Sequence, residues 1–417
     1  MSALSRSEVL VAGGGCVGGT LACALAQAGV ATTLIEAQPP RGPWAADSVD
    51  LRVYAISRAS QAIFEHLGIW DEILDAGACP YERMQVWDAG GGGEIRFDAA
   101  DIGEPVLGHI IEERVIVRAL EGLAQRSEAL TVERPARVTD LAREPDAVRV
   151  RLDDGRWREA TLLVGADGRA SRVRQLAGIG VDAHDYRQQA IVCVVETERP
   201  HQATAWQRFL PTGPLAFLPL RRGRCSIVWS TTPEDAEVLL ALDEASFAER
   251  LGAAFEHRLG AITAVGERVA FPLARQHAEH YVAERIALVG DAAHVIHPLA
   301  GQGVNLGLLD AAALAEIVAD TRRRRRDPGR LHGLRRYERW RRGDNLAMMW
   351  AMDGFKRLFG SRNPLLAGAR NLGLGLVDRA GPLKTPLMRQ AMGLAGDLPR
   401  MADARYHRGK MQEAGYK

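Results

Sequence analysis

Cysteine is scarce in this sequence, with five residues in 417. Cys16, Cys23, Cys79, Cys193 and Cys225 are odd in number and scattered, with no CxxC spacing. That excludes a disulfide framework and a thiolate zinc cluster, and it fits reduced thiols in a cytoplasm. Neither sign of charge is in excess: 53 Lys+Arg stand against 52 Asp+Glu, a formal net charge of +1. Such a balance argues against nucleic acid as a partner, whose binders carry a basic surplus. No apolar run reaches the roughly 18 residues that a membrane-spanning helix needs. Residues 1–8 enter an apolar strand directly, without the hydrophobic region and small-residue cleavage site of a signal peptide. What remains is 47% hydrophobic and 25% charged, an ordinary globular composition. The length predicts about two to three domains with sizeable cores.

The chain opens as a βαβ unit. Glu8–Ala12 reads as a strand, Gly13–Gly18 as a glycine turn, Thr20–Ala28 as a helix stopped near Gly29, and Ala31–Ile35 as a second strand. Helical spacing returns over Ser57–Leu67 and ends at Gly68, while Met84–Phe97 alternates as strands around Gly90–Gly93. Ile110–Gln125 starts extended and turns helical, and Val148–Leu152 and Ala160–Val164 read as strands joined at Asp153–Gly155. The texture changes from about Ile191 to Phe271, where strands at Ile191–Glu196, Ala205–Leu210, Leu215–Leu220 and Cys225–Ser230 surround a helical interruption at Ala236–Ala254. Ile286–Val289 then resumes the earlier style, with a glycine-rich turn and a long helix over Gly303–Asp320.

The predicted fold class is therefore α/β, a discontinuous Rossmann-like domain with an inserted sheet-rich substrate domain and a C-terminal helical region. The expected boundaries give the first domain residues 1–78, 101–180 and 275–330, the substrate domain 79–100 and 181–274, and the helical region 331–417.

Three segments of the first domain carry chemistry. Gly13, Gly15 and Gly18 form a GxGxxG between strand and helix, and Glu36 closes the second strand. In that pattern the first glycine makes the tight turn, the second admits a pyrophosphate against the backbone, and the third lets helix and strand pack closely. The helix N-terminus offers free N–H donors to phosphate, and the acid can accept hydrogen bonds from a ribose. The pattern binds a dinucleotide but does not separate FAD from NAD. The second segment, residues 162–174, runs a strand into the Asp167–Gly168 turn and a basic helix start; an ordinary Asp-Gly turn is the alternative. In the third, residues 287–310, a buried strand delivers Asp291 to a loop edge where it can meet ribityl hydroxyls, and Gly301–Asn305 opens a helix whose N–H groups favour negative charge.

Together these segments resemble the class A FAD-dependent monooxygenases of the para-hydroxybenzoate hydroxylase fold. Residues 297–310 resemble, more narrowly, the signature of the ubiquinone-biosynthesis flavin hydroxylases, and residues 51–57, 107–114, 213–220 and 385–398 are similar to that family too. The resemblance runs from about residue 8 to 398 and leaves Met401–Lys417 without a counterpart. It implies that Gly13, Gly15, Gly18 and Glu36 hold the ADP half of FAD, and that Arg52 and Arg114 lie against the cofactor, where guanidinium donors suit pyrophosphate. It implies Asp167 near FAD and the approach of NAD(P)H, Asp291 at the ribityl–pyrophosphate side, and Gly303, Val304 and Asn305 near the isoalloxazine ring. Ala12 stands where the family more usually has glycine, outside the phosphate-contacting positions.

The activity so implied is hydroxylation of the ring of a polyprenylated phenol or quinone precursor, at C5 ahead of C6, with NAD(P)H and O2 through a flavin C4a-hydroperoxide. The alternatives are an FAD hydroxylase of small soluble aromatics and a non-catalytic flavoprotein scaffold. A flavin halogenase is disfavoured by the lack of a WxWxIP segment. No metal site is expected, and no catalytic residue is singled out: His294 and His297 can serve as bases or, equally, as structural groups. The arginines at Arg322–Arg326, Arg330, Arg335, Arg336, Arg339, Arg341 and Arg342 suit an anionic membrane surface, at about 1 kcal/mol per near-surface charge, or a solvated helical face. Leu346–Phe359, with Met348, Met349, Trp350, Met352 and Phe355, suits core or dimer packing, or else membrane dipping or contact with a prenyl tail. The expected setting is cytoplasmic and peripheral on the inner membrane, as a homodimer or within a ubiquinone-biosynthesis complex.

Overall fold

A computed structural model describes residues 5–45, 47–91, 93–296, 302–360, 385–386, 388–390 and 392–403. Its helices are α1 (Cys16–Gln27), α2 (Arg58–Leu67), α3 (Trp70–Ala76), α4 (Glu113–Gln125), α5 (Arg172–Leu176), α6 (Pro233–Ala241), α7 (Glu244–Ala254), α8 (Gln302–Arg323) and α9 (Leu331–Gly360).

The first lobe is built on strand Ser5–Ala12, which pairs in parallel with Thr32–Ile35 on one side and Trp157–Gly165 on the other. Leu130–Glu133 and Ile286–Leu288 extend this sheet in parallel at its two sides. Helices cover the sheet, so its strands are continuous apolar runs: Val9, Val11, Leu162, Leu163 and Val164 are wholly buried. Against the expected helix Thr20–Ala28, α1 begins at Cys16, because the glycine turn is itself the first helical turn.

The second lobe is a nine-stranded sheet. Its axis is the 17-residue strand Val181–Thr197, of which the expected Ile191–Glu196 is only the centre. One face buries Ile191, Cys193, Phe217 and Ile227 beneath α6 and α7, with Phe217 stacked on Phe255 at 3.8 Å. The expected single helix over Ala236–Ala254 is two, because Asp243 leaves the helical path and its carboxylate accepts the Ser246 N–H at 2.7 Å as an N-cap. On the opposite face, Val194 and Leu218 pack on Ala55 and Ile110. Those two belong to a third, small sheet of Val53–Ser57, Cys79–Tyr81 and Gly108–Glu112, which sits between the larger ones.

Helix α9 touches both lobes. Near its start Leu334 and Tyr337 are wholly buried in the first lobe's core. Farther on, Met352 packs on Val86, Ile95 and Phe209 of the large sheet, and Asp353 accepts the Tyr186 hydroxyl and pairs with Arg275 at 3.7 Å. Among the described residues no helix is long and apolar enough to cross a membrane.

Candidate active site

The three motif segments converge on one cavity of about 690 Å³ in the first lobe. Gly13, Gly15, Glu36, Arg52, Asp167, Asp291 and Val304 all line it. Gly13 has φ +105°, and a Cβ there would stand 2.3 Å from the Ala166 carbonyl oxygen. Gly15 is the N-cap of α1, where an added Cβ meets nothing within 4 Å, so bare backbone faces open space at a helix N-terminus. Gly18 lies within α1 instead, where a Cβ would meet the Gly13 carbonyl oxygen at 1.9 Å. Its part is close packing rather than contact with a ligand.

The acids of the cavity are arranged to accept. Glu36 takes the Gly14 N–H at 2.5 Å and the Gln38 N–H at 2.6 Å, which fixes its carboxylate at the end of the second strand. Asp167 accepts the N–H groups of Arg172 and Val173 at 2.7 and 3.0 Å through Oδ2, while its buried Oδ1 has no partner within the protein. An orphaned acceptor beside a cavity is where a ligand's hydroxyl is to be looked for. Asp291 is exposed to the cavity; the protein packed around it raises its carboxyl pKa, and His294 and Arg52 oppose the rise. Arg52 is an exposed cation of the site, its side chain 63% exposed and 3.4 Å from Glu113. Glu113 also meets Arg41 at 3.3 Å and the Tyr54 hydroxyl at 3.3 Å.

Arg114, Gly303 and Asn305 stand apart from the cavity lining. Arg114 pairs with Glu112 at 2.7 Å, donates to the Ser48 hydroxyl at 2.9 Å and lies 4.7 Å over the Trp44 ring, so it fastens the loop before the small sheet. Asn305 is buried: its Oδ1 accepts the Ser57 N–H at 2.9 Å and the Ser60 hydroxyl at 2.7 Å, and its Nδ2 donates to the Ala55 carbonyl at 2.8 Å. It ties the first turn of α8 to the small sheet. Gly303 occupies that same turn.

Of the two histidines, His297 lies outside the described residues, as does the rest of 297–301. His294 is buried with Nε2 2.5 Å from Asp310 Oδ2. Burial alone would raise the Asp310 carboxyl pKa, but His294 and Arg341 together hold it below the ordinary carboxylate value. Arg341 must therefore leave the surface arginine group: its side chain is 1% exposed and donates to Asp310 at 3.0 Å. Arg322 is matched as well, on Glu8 at 2.9 Å. The side chain of Phe355 lies outside the described set.

Sequence reasoning passed over Tyr54, Glu113, Arg137, Thr139 and Arg172, which complete the lining. Tyr54 and Glu113 fall within segments that resemble the hydroxylase family, and that was the available signal. Arg137 and Thr139 carried none. Glycine backbone at a helix N-terminus, a ribose-height carboxylate, two unfilled acceptors and an exposed guanidinium are the donor and acceptor set that a dinucleotide with hydroxylated linkers requires, so the residues fit FAD. Among the described residues no group of His, Cys, Asp and Glu could hold a metal ion.

Comparison with known proteins agrees with this geometry. Residues 6–347 match the FAD binding domain family, FAD_binding_3. The chain is 43% identical over 392 residues to the ubiquinone hydroxylase UbiL of Rhodospirillum rubrum, covering 94% of this chain and 91% of that protein. It is 40% identical over 389 residues to the 3-demethoxyubiquinol 3-hydroxylase of Escherichia coli K12, covering 93% and 99%. The human mitochondrial ubiquinone biosynthesis monooxygenase COQ6 is 35% identical over 429 residues, covering 91% of each. Among solved structures, the p-nitrophenol 4-monooxygenase PnpA of Pseudomonas putida superposes with a TM-score of 0.77 over 93% of this chain and 99% of its own, at 19% identity, a likeness of fold.

Proposed function

The chain belongs to the FAD binding domain family and is an FAD-dependent aromatic hydroxylase; from that premise we propose that it hydroxylates the ring of a polyprenylated phenol in ubiquinone biosynthesis, at C5 in preference to C6. The observation that carries this reading is full-length similarity to several ubiquinone hydroxylases, with the three cofactor segments of the chain meeting at one cavity.

Bound FAD supplies the redox chemistry, accepting hydride from NAD(P)H and activating O2. The protein's own work is to hold the cofactor. The N-terminus of α1, bare at Gly15, would receive the diphosphate, and Arg52, exposed at the same cavity, would add a cation to it. Glu36 accepts from the adenosine ribose, while Asp291 and the free Oδ1 of Asp167 accept from hydroxyls along the rest of the cofactor. The first turn of α8, pinned by Asn305, reaches the cavity at Val304, and its free N–H groups would favour negative charge there.

A prenylated substrate resides in a bilayer, and α9 carries the surface suited to one. Arg335, Arg336 and Arg339 lie on one exposed face without a carboxylate partner among the described residues, and Trp350, 58% exposed, continues that face. The deciding experiment deletes the gene and identifies, by mass spectrometry, the quinone intermediate that accumulates. A prenylphenol lacking the C5 hydroxyl is the expected product; one arrested at C6 moves the ring position, and an unchanged quinone pool removes the assignment.

A further inference from the structure

Behind the cavity, and not lining it, one carboxylate gathers donors from two separate parts of the fold. Asp310, on α8, is wholly buried. Its Oδ2 accepts the Gly290 N–H at 3.2 Å and meets His294 Nε2 at 2.5 Å; its Oδ1 accepts Arg341 Nε at 3.0 Å and Asn345 Nδ2 at 3.1 Å. Gly290 and His294 belong to the turn that presents Asp291 to the cavity, while Arg341 and Asn345 come from α9.

We propose that Asp310 is a positioning residue for the flavin: its carboxylate sets the turn that carries Asp291 against helix α8, and braces both on α9. The inference rests on reading the cavity as the FAD site. Two cavity walls belong to different elements, Asp291 to the turn and Val304 to α8, and Asp310 is the group that bonds one element to the other. The turn is gripped from its far side too, where Arg174 donates to the Ala292 carbonyl at 2.8 Å and the Ala278 N–H reaches the Ala293 carbonyl at 2.7 Å. That grip fixes the turn to the sheets but not to α8. The Asp310 hydrogen bonds, beside the close approach of Gly307 to Gly290, relate the turn that carries Asp291 to α8. The carboxylate itself is filled: each oxygen holds two donors, Arg341 stands against its charge at 3.0 Å, and the one open position of the hub is His294 Nδ1, buried without a partner within the protein. A buried polar hub of that kind fixes one geometry, because any partial loss leaves an unpaired group without water to replace the partner.

The test uses the full chain, stripped of flavin and titrated with FAD, followed by flavin fluorescence and by visible circular dichroism of the bound flavin. In Asp310→Asn the amide must turn N–H groups against donors, and in His294→Leu the Nε2 donor is gone. Each is expected to weaken FAD binding on the order of tenfold and to alter the dichroism, as befits loss of a hydrogen bond to a charged group. His294→Gln keeps a donor near the same place and is expected to stay within about threefold of wild type. Asn345→Leu removes a donor from the α9 side, away from the cavity, and carries the test if Asp310→Asn does not fold; it is expected to weaken FAD and shift the dichroism in the same sense. Folded variants that bind FAD with wild-type affinity and dichroism overturn the proposal, and so does His294→Gln losing as much as His294→Leu. Wild-type protein that takes up no FAD overturns the cofactor reading itself, and this inference with it.

Discussion

Asp291 and Asp310 belong to one motif and lie on either side of one turn, yet their surroundings are opposite. Asp291 is exposed to the cavity, and the protein around it raises its carboxyl pKa. Asp310 is enclosed, holds four hydrogen bonds, and is kept below the ordinary carboxylate value by His294 and Arg341 despite its burial. The difference separates binding from support. Where a ligand is to be held, a carboxylate oxygen is left with unused capacity, as at Asp167 Oδ1; where geometry is to be held, both carboxylate oxygens are matched by donors, as at Asp310. The glycines divide in the same way. Gly13 is needed by the protein's own backbone, and Gly15 faces only open space.

The most severe way to break that division is Gly13→Ala. The residue would have to keep φ +105° with its Cβ 2.3 Å from a carbonyl oxygen. The backbone strain alone costs roughly 1–3 kcal/mol, and the clash adds to it. Purified protein is expected to melt several degrees lower and to hold no flavin. Gly15→Ala is the control, expected to melt like wild type while binding FAD more weakly, because the new methyl has no protein neighbour. Equal melting of the two variants would erase the distinction.

A smaller effect is expected from Asp291→Ala. Flavin affinity should fall, while the melting temperature of the flavin-free protein stays level or rises. A carboxylate exposed to the cavity, its pKa raised by its surroundings, lends the empty protein no stability, so its removal costs the fold nothing. Calorimetry on the apo form and FAD titration measure the two halves separately. A drop in apo stability would place Asp291 with the supporting groups.

The same contrast explains what could be read from the sequence. The βαβ unit was legible because its signals are local: glycines at fixed offsets, an Ala/Leu helix and a closing acid. The far wall of the cavity was not, because Arg137 and Thr139 arrive through the pairing of Val138–Arg143 with Val148–Leu152, and that hairpin reaches the site only by docking on Trp157–Gly165. Arg341 was read with the surface arginines on composition. Its period told otherwise, since Leu334, Tyr337, Arg341 and Asn345 recur at helical spacing and all four are buried. A charge run reports how many charges there are; the helix phase decides which of them face inward.

Acid should loosen both regions by separate routes. Burial lowers His277 and His109 to about 4, aided by His294 at the first and Arg58 at the second. Both are neutral when folded near neutral pH and regain an ordinary value of about 6.5 when unfolded. Between those values the unfolded chain binds protons that the folded chain does not, so stability falls as pH drops from about 6.5 towards 4. The Asp310 contribution persists through that window and disappears only as pH falls through its own depressed value. Thermal melts from pH 7.5 to 4.5 should decline, and His277→Gln should flatten the decline. An unchanged slope in that variant would remove His277 from the account.

The smallest expected effect lies on the surface of α9, where neither matching nor an enclosed cavity operates. Arg339 is exposed and, among the described residues, unpaired, so its removal should leave folding and flavin binding untouched. Near an anionic bilayer one such charge contributes about 1 kcal/mol, a severalfold change in partitioning, and the gain is screened within a Debye length of about 8 Å at physiological salt. Arg339→Gln should therefore sediment more weakly than wild type with vesicles containing phosphatidylglycerol at low salt. The two proteins should converge at high salt and on neutral phosphatidylcholine. Arg341→Gln, one turn's fraction away in sequence but buried on Asp310, should show the reverse pattern, losing stability and flavin before it loses vesicle binding. If both arginines behave alike on vesicles, the outward face of α9 has no electrostatic part in reaching the membrane, and the division between supporting and exposed charge on this helix fails at its weakest point.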